Sequence, residues 1–141
     1  LKKIIINKKK KSLEIVENNY LNNLNLNFSY NLDFPLKSSL NRNINYLTIF
    51  DSNSTKIRGY LKINLYNFKK SKPKIFILKN RYGNSEPQII KLGKKEYLLS
   101  FTYDKKLNYI SIIDVDLNRI YDIKLPKIFI PPGFHSTFIN I

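Results

Sequence analysis

Apolar and polar residues alternate one by one through most of this chain. A period of two leaves little room for anything except β-strands. The cleanest run is Asn22 to Tyr30, where Leu24, Leu26, Phe28 and Tyr30 point one way and Asn25, Asn27 and Ser29 the other. That pattern predicts a half-buried antiparallel strand. Asp33-Phe34-Pro35 is expected to break it, with a loop following through Ser39.

The same rhythm recurs between turn clusters. Ile4-Ile5-Ile6 and Leu13-Glu14-Ile15-Val16 flank the Lys8–Lys11 run and read as a hairpin. Asn45 to Phe50 is rich in strand-formers, and Asp51 to Thr55 is a turn cluster. Gly59 to Leu65 resumes alternation, with Leu61, Ile63 and Leu65 on one face. Lys69 to Pro73 turns into Ile75–Leu78. Residues 80–87 read as irregular and Gln88 to Lys91 as extended. Tyr97, Leu99, Phe101 and Tyr103 share a face of the next strand, and a loop at 104–108 returns it through Tyr109 to Asp114. A turn at 116–119 leads into Ile120 to Leu125. About ten short strands at even spacing, with no helix, predict an all-β antiparallel meander of the sandwich, barrel or propeller kind. Hairpins grouped in fours have the rhythm of propeller blades.

The length, 141 residues, suits one β-rich segment spanning 1–141. The chain contains no Cys, which excludes disulfides and thiolate-held metals, and no Met, which reads as a processed chain or a fragment. No targeting segment and no membrane span is apparent. The net charge of +15 invites a nucleic-acid partner. However, only Arg42, Arg58, Arg81 and Arg119 among the 25 basic residues are arginine, and the lysines are spread along the chain. Arginine is the usual reader of bases and phosphates, so this composition weighs against nucleic acid.

Chemistry-bearing residues are few. Most of the ten acidic residues lie in turns, where Asp bonds its own backbone. Glu86 differs: it stands in Arg81-Tyr82-Gly83-Asn84-Ser85-Glu86-Pro87, directly before a strand. It reads either as an oriented functional carboxylate or as an ordinary loop Glu paired with Arg81. His135 is the single histidine, delivered by Pro131-Pro132-Gly133-Phe134 in a stiff, sharply turned backbone. A neutral imidazole there is a candidate metal ligand or, alternatively, a packed residue. No nucleophile–His–acid arrangement and no phosphate-cradling glycine loop is present, so no catalytic nucleophile is assigned.

Four segments occur in a telling order: Arg81-Tyr82-Gly83…Glu86-Pro87, Tyr97-Leu98-Leu99-Ser100-Phe101-Thr102-Tyr103-Asp104, Ile123-Lys124-Leu125-Pro126, and Pro132-Gly133-Phe134-His135-Ser136-Thr137-Phe138-Ile139. This order resembles the C-terminal part of the carotenoid cleavage oxygenases, with the plant epoxycarotenoid dioxygenases the nearest branch. Tyr46 to Ile49 and Gly59 to Leu65 resemble earlier strands of that family more loosely. The resemblance implies part of a seven-bladed β-propeller, its C-terminal blades. It also implies a non-haem Fe(II) held by four histidines, and O2 cleaving a double bond of a carotenoid or apocarotenoid. His135 matches the last histidine and Glu86 an outer glutamate that holds a ligand imidazole. The chain departs from the family in Asn84-Ser85, one residue longer than the usual Gly-Gly-Glu-Pro, in Ser136 where the family has Gly, and in lacking the three upstream histidines. The expectation is therefore a C-terminal segment, incomplete as an enzyme by itself, that needs a missing N-terminal part or a partner chain. Plastid or cytoplasmic location and peripheral membrane contact through the substrate follow from the same resemblance. The alternative is a non-catalytic β-rich module that binds protein or RNA, as in an organellar assembly.

Overall fold

The architecture described below comes from a computed structural model, which describes residues 2–17, 19–22, 26, 28–38, 40–54, 56–114, 116–118 and 120–126. The chain is all-β. Among the described residues, helix is confined to a single turn, α1 (Asn19–Asn22), and a 3-10 turn at Phe68–Lys70. No helix among them is long and apolar enough to cross a membrane. As the alternation predicts, β1 (Lys2–Asn7) and β2 (Ser12–Glu17) pair antiparallel around the lysine turn, Ile6 opposite Leu13 and Ile5 opposite Glu14.

β3 (Tyr30–Lys37), β4 (Ile44–Asp51), β5 (Ile57–Asn64) and β6 (Lys74–Ile77) follow in sequence, each antiparallel to the one before. β8 (Gln88–Leu92), β9 (Lys95–Tyr103), β10 (Asn108–Asp114) and β11 (Ile120–Lys124) repeat that arrangement. Between the two meanders lies β7 (Tyr82–Gly83), which pairs with β5 on one side and β9 on the other. This two-residue strand joins both meanders into one nine-stranded sheet.

Burial explains why the first meander reads so apolar. One of its faces packs Tyr46, Ile57, Tyr60 and Leu78 against Leu98, Ile113 and Leu117 of the second meander. Its other face holds Leu47, Ile49, Leu61, Ile63 and Phe68, against which Val16, Leu26 and Phe28 pack. A strand covered on both faces loses its polar row, and β4 is buried continuously from Tyr46 to Ile49. Each fully buried Ile or Leu contributes about 1.5–3 kcal/mol of apolar transfer.

One expectation is corrected and one is completed. Of the strand expected over residues 22–30, residues 23–25 and 27 lie outside the described residues, Leu26, Phe28 and Ser29 are not in a strand, and Asn22 closes α1, while β3 begins at Tyr30 and runs through Pro35. Proline is tolerated there because β3 is the last strand of the sheet and its register shifts between Asp33 and Leu36, so no central ladder bond is lost. On β9 the aromatic row Tyr97, Leu99, Phe101, Tyr103 is only half-buried. The opposite row, Glu96, Leu98, Ser100 and Thr102, is the buried one.

Candidate functional site

The segment from Arg81 to Pro87 is where the two meanders meet. After β6 the backbone NH of Leu78 donates to Arg58 O at 2.8 Å, and Asn80 takes a left-handed φ of 59°. The chain then inserts Gly83 between Ile57 of β5 and Thr102 of β9. Glycine is needed at this position. A Cβ here would lie 2.8 Å from Ile57 Cγ2 and 3.3 Å from the Tyr60 hydroxyl. Asn84 N donates to Phe101 O at 2.9 Å, and Ser85, Glu86 and Pro87 are all buried. The carboxylate singled out in the sequence therefore sits inside the protein, 8 % exposed, on the link between the meanders.

Arg81 does not pair with Glu86, which corrects the alternative reading of that loop. Its guanidinium donates to Asp122 Oδ2 of β11 at 2.6 Å and lies 3.9 Å from the centroid of the Tyr109 ring. Asp122 lies across the sheet on the face that Arg81 reaches, whereas Glu86 is carried inward past Gly83. The other oxygen of Asp122 accepts from Ser111 Oγ at 2.8 Å, and Ser111 Oγ lies 2.6 Å from Thr102 Oγ1. Tyr109 donates to Asp104 Oδ2 at 2.9 Å, which raises the phenol above its ordinary range. Asp104 also accepts the backbone NH groups of Lys106 and Leu107, and these hold its carboxyl below the usual range. An open cleft of about 260 Å³ lies beside this chain, with Phe76, Leu78 and Ile120 as its apolar wall and Lys79, Arg81 and Asp122 at its polar end.

Among the described residues this array is a chain of hydroxyls, Thr102 to Ser111, that ends on a carboxylate already paired with Arg81. A second buried carboxylate, Glu96, accepts Ser38 Oγ at 2.6 Å and the Leu40 NH at 2.9 Å, tying the loop after β3 to β9. Sequence reading did not identify Asp122 and Glu96. Their common signal is an acidic residue inside a strand instead of a turn.

His135 lies outside the described residues. Among the described residues no group of three or more His, Cys, Asp or Glu side chains comes together in a way that could hold a metal ion. With one histidine in the whole sequence, this chain offers one imidazole, which does not by itself fit a four-histidine iron shell. No family model matches the chain, and no curated protein or solved structure matches it either.

Proposed function

We propose that this chain is the C-terminal part of a carotenoid-oxygenase-like propeller, and that its completed form uses Fe(II) and O2 to cleave a carotenoid or apocarotenoid double bond. The observation that carries this reading is the burial of Glu86 on the link between two successive four-stranded antiparallel meanders. Meanders of four strands in sequence are what blades of a propeller consist of. A buried carboxylate at a blade junction suits a residue that takes the second ring N–H of a ligand imidazole and so fixes its tautomer and direction. In this reading His135 contributes one ligand, and the remaining imidazoles come from outside this sequence. The iron would supply oxygen chemistry, and this chain's own part is to hold Glu86 and His135 in place.

Anaerobic Fe(II) titration tests the reading on this chain and on the longest form that its gene encodes. The longer form is expected to bind one iron. His135→Ala should abolish stoichiometric binding, and Glu86→Gln should weaken it about 10–100-fold. Unchanged iron binding in His135→Ala would remove the ligand assignment.

A non-catalytic interaction module is the second reading. It is favoured by the β1–β2 hairpin, where Ile6, Leu13 and Ile15 stand 56–68 % exposed beside the lysine turn. Loss of partner capture in Ile15→Lys, with the iron titration negative in the longer form, would select it.

A further inference from the structure

Arg58 interrupts the pairing of β4 with β5. Ile49 pairs with Gly59 and Phe50 with Ile57, so Arg58 is the extra residue of a β-bulge. Bulges re-aim a side chain out of the regular alternation and are over-represented beside binding sites. Here the guanidinium lies 4.8 Å from the centroid of the Phe28 ring and 5.2 Å from that of the Tyr82 ring. The Lys56 ammonium lies 4.6 Å from the centroid of the same Tyr82 ring, and Tyr82 pairs with Tyr103 at 5.7 Å.

The buried Arg58 Nε and the rings that gather two cations set this cluster apart, since many lysines among the described residues have no carboxylate beside them. Lys62, Lys74 and Arg81 each have a carboxylate within ion-pair distance. Neither Lys56 nor Arg58 has one among the described residues. Arg58 Nε is buried and finds no acceptor there. A buried donor on a cation is among the costlier groups to leave unsatisfied. Two like charges gathered on one ring add repulsion that an anion between them would relieve. The rings hold the cations in place but accept no N–H in the plane of the guanidinium, where a carboxylate or phosphate oxygen binds.

We propose that Lys56 and Arg58, held by Phe28 and Tyr82, form an oxyanion-binding site that takes a phosphate or carboxylate group. The site stands apart from the iron reading, because none of its residues is assigned a part in metal binding. Nitrogen-resolved NMR follows the Arg58 Nε–H and carbon-resolved NMR the Tyr82 ring while inorganic phosphate, acetate or chloride is added at matched ionic strength. The expected result is a saturable shift of both signals with phosphate or acetate and none with chloride. Saturation by phosphate alone would identify a phosphoryl ligand, and saturation by acetate alone a carboxylate. Arg58→Gln should weaken binding at least about tenfold, the loss of one charge-assisted hydrogen bond. Lys56→Gln, at an exposed position, should weaken it severalfold and leave the fold intact. Linear, non-saturating shifts shared with the other lysines and with chloride would overturn the proposal, since they mean only screening of a +15 surface. So would saturation that survives Arg58→Gln. If that variant does not fold, the Arg58 Nε–H signal of the unaltered protein still decides.

Discussion

The Tyr60 hydroxyl donates to Ser100 Oγ at 2.6 Å across the seam between β5 and β9. Tyr60 is fully buried and Ser100 is 2 % exposed. Ser100 Oγ in turn donates to Phe101 O at 3.2 Å, so the phenol completes a short hydrogen-bonded chain that ties the first meander to the second. Hydrophobic packing at this seam is non-directional, whereas this bond sets which residue of β5 faces which residue of β9.

Tyr60→Phe keeps the ring in place and removes only the donor. Ser100 retains its bond to Phe101 O, so the expected cost is about 1 kcal/mol, the net worth of one hydrogen bond. Urea unfolding should show a lower midpoint with an unchanged m-value. Tyr60→Ala should cost about 3–5 kcal/mol, because it also opens a cavity.

The strand rhythm, the lysine hairpin and the turns after β4, β8 and β9 were legible because period-two alternation and Asp, Asn and Gly clusters are local signals. Residues 22–30 misled because Leu24, Leu26, Phe28 and Tyr30 alternate as a strand does. Phe28 and Tyr30 instead serve the second core from either side of the start of β3. Alternation put Tyr97, Leu99, Phe101 and Tyr103 on one face of β9 without saying which face is buried. Only tertiary pairing shows that Ser100, Thr102 and Ser111 can be buried because they bond with Tyr60, with one another and with Asp122. Of the site residues, Glu86 stood out by its Gly and Pro neighbours. The Asp122 partner of Arg81 did not, since 41 residues separate them.

Alkaline pH should unfold the protein through buried phenols. Burial pushes the Tyr60 hydroxyl up to about 12, although its bond to Ser100 opposes the rise. Burial first, then the nearby Glu96, pushes Tyr46 higher still. In the unfolded chain both titrate near about 10. The folded value is the higher one, so stability is complete below about pH 10 and is lost as pH rises from there towards the folded values. Tyrosinate absorbance follows the titration alongside circular dichroism. A last fraction should appear only together with loss of the far-ultraviolet β signal. A single smooth titration that leaves the fold intact would contradict this.

Gly83→Ala should destabilise the junction. The new methyl would meet Ile57 Cγ2 at 2.8 Å and Ile57 Cβ at 2.9 Å, with β5 and β9 pinning the backbone on both sides. Overpacking of this kind costs about 1–3 kcal/mol. Ile57→Ala removes the Cγ2 that obstructs, so the double variant should lose less stability than the two single losses added together. Simple additivity in thermal or urea unfolding would mean that the strand had moved aside.

Arg81 and Asp122 bear on how much an ion pair between β11 and the segment entering β7 contributes. Their side chains are 24 % and 22 % exposed, so the pair is neither a surface bridge nor a dry one. A fully buried pair broken on one side costs about 3–5 kcal/mol, and an exposed one under about 1. Asp122→Ala should fall between these limits, at about 1–2 kcal/mol. It strips Arg81 of its carboxylate and Ser111 of an acceptor, but water reaches Arg81 through the adjoining cleft, and the buried Ser111 keeps its bond with Thr102. Replacing both partners, as Arg81→Met with Asp122→Leu, leaves no uncompensated charge and should recover most of the loss. A double variant as unstable as Asp122→Ala would show that the stacking of Arg81 on Tyr109, rather than the ion pair, secures this corner of the sheet.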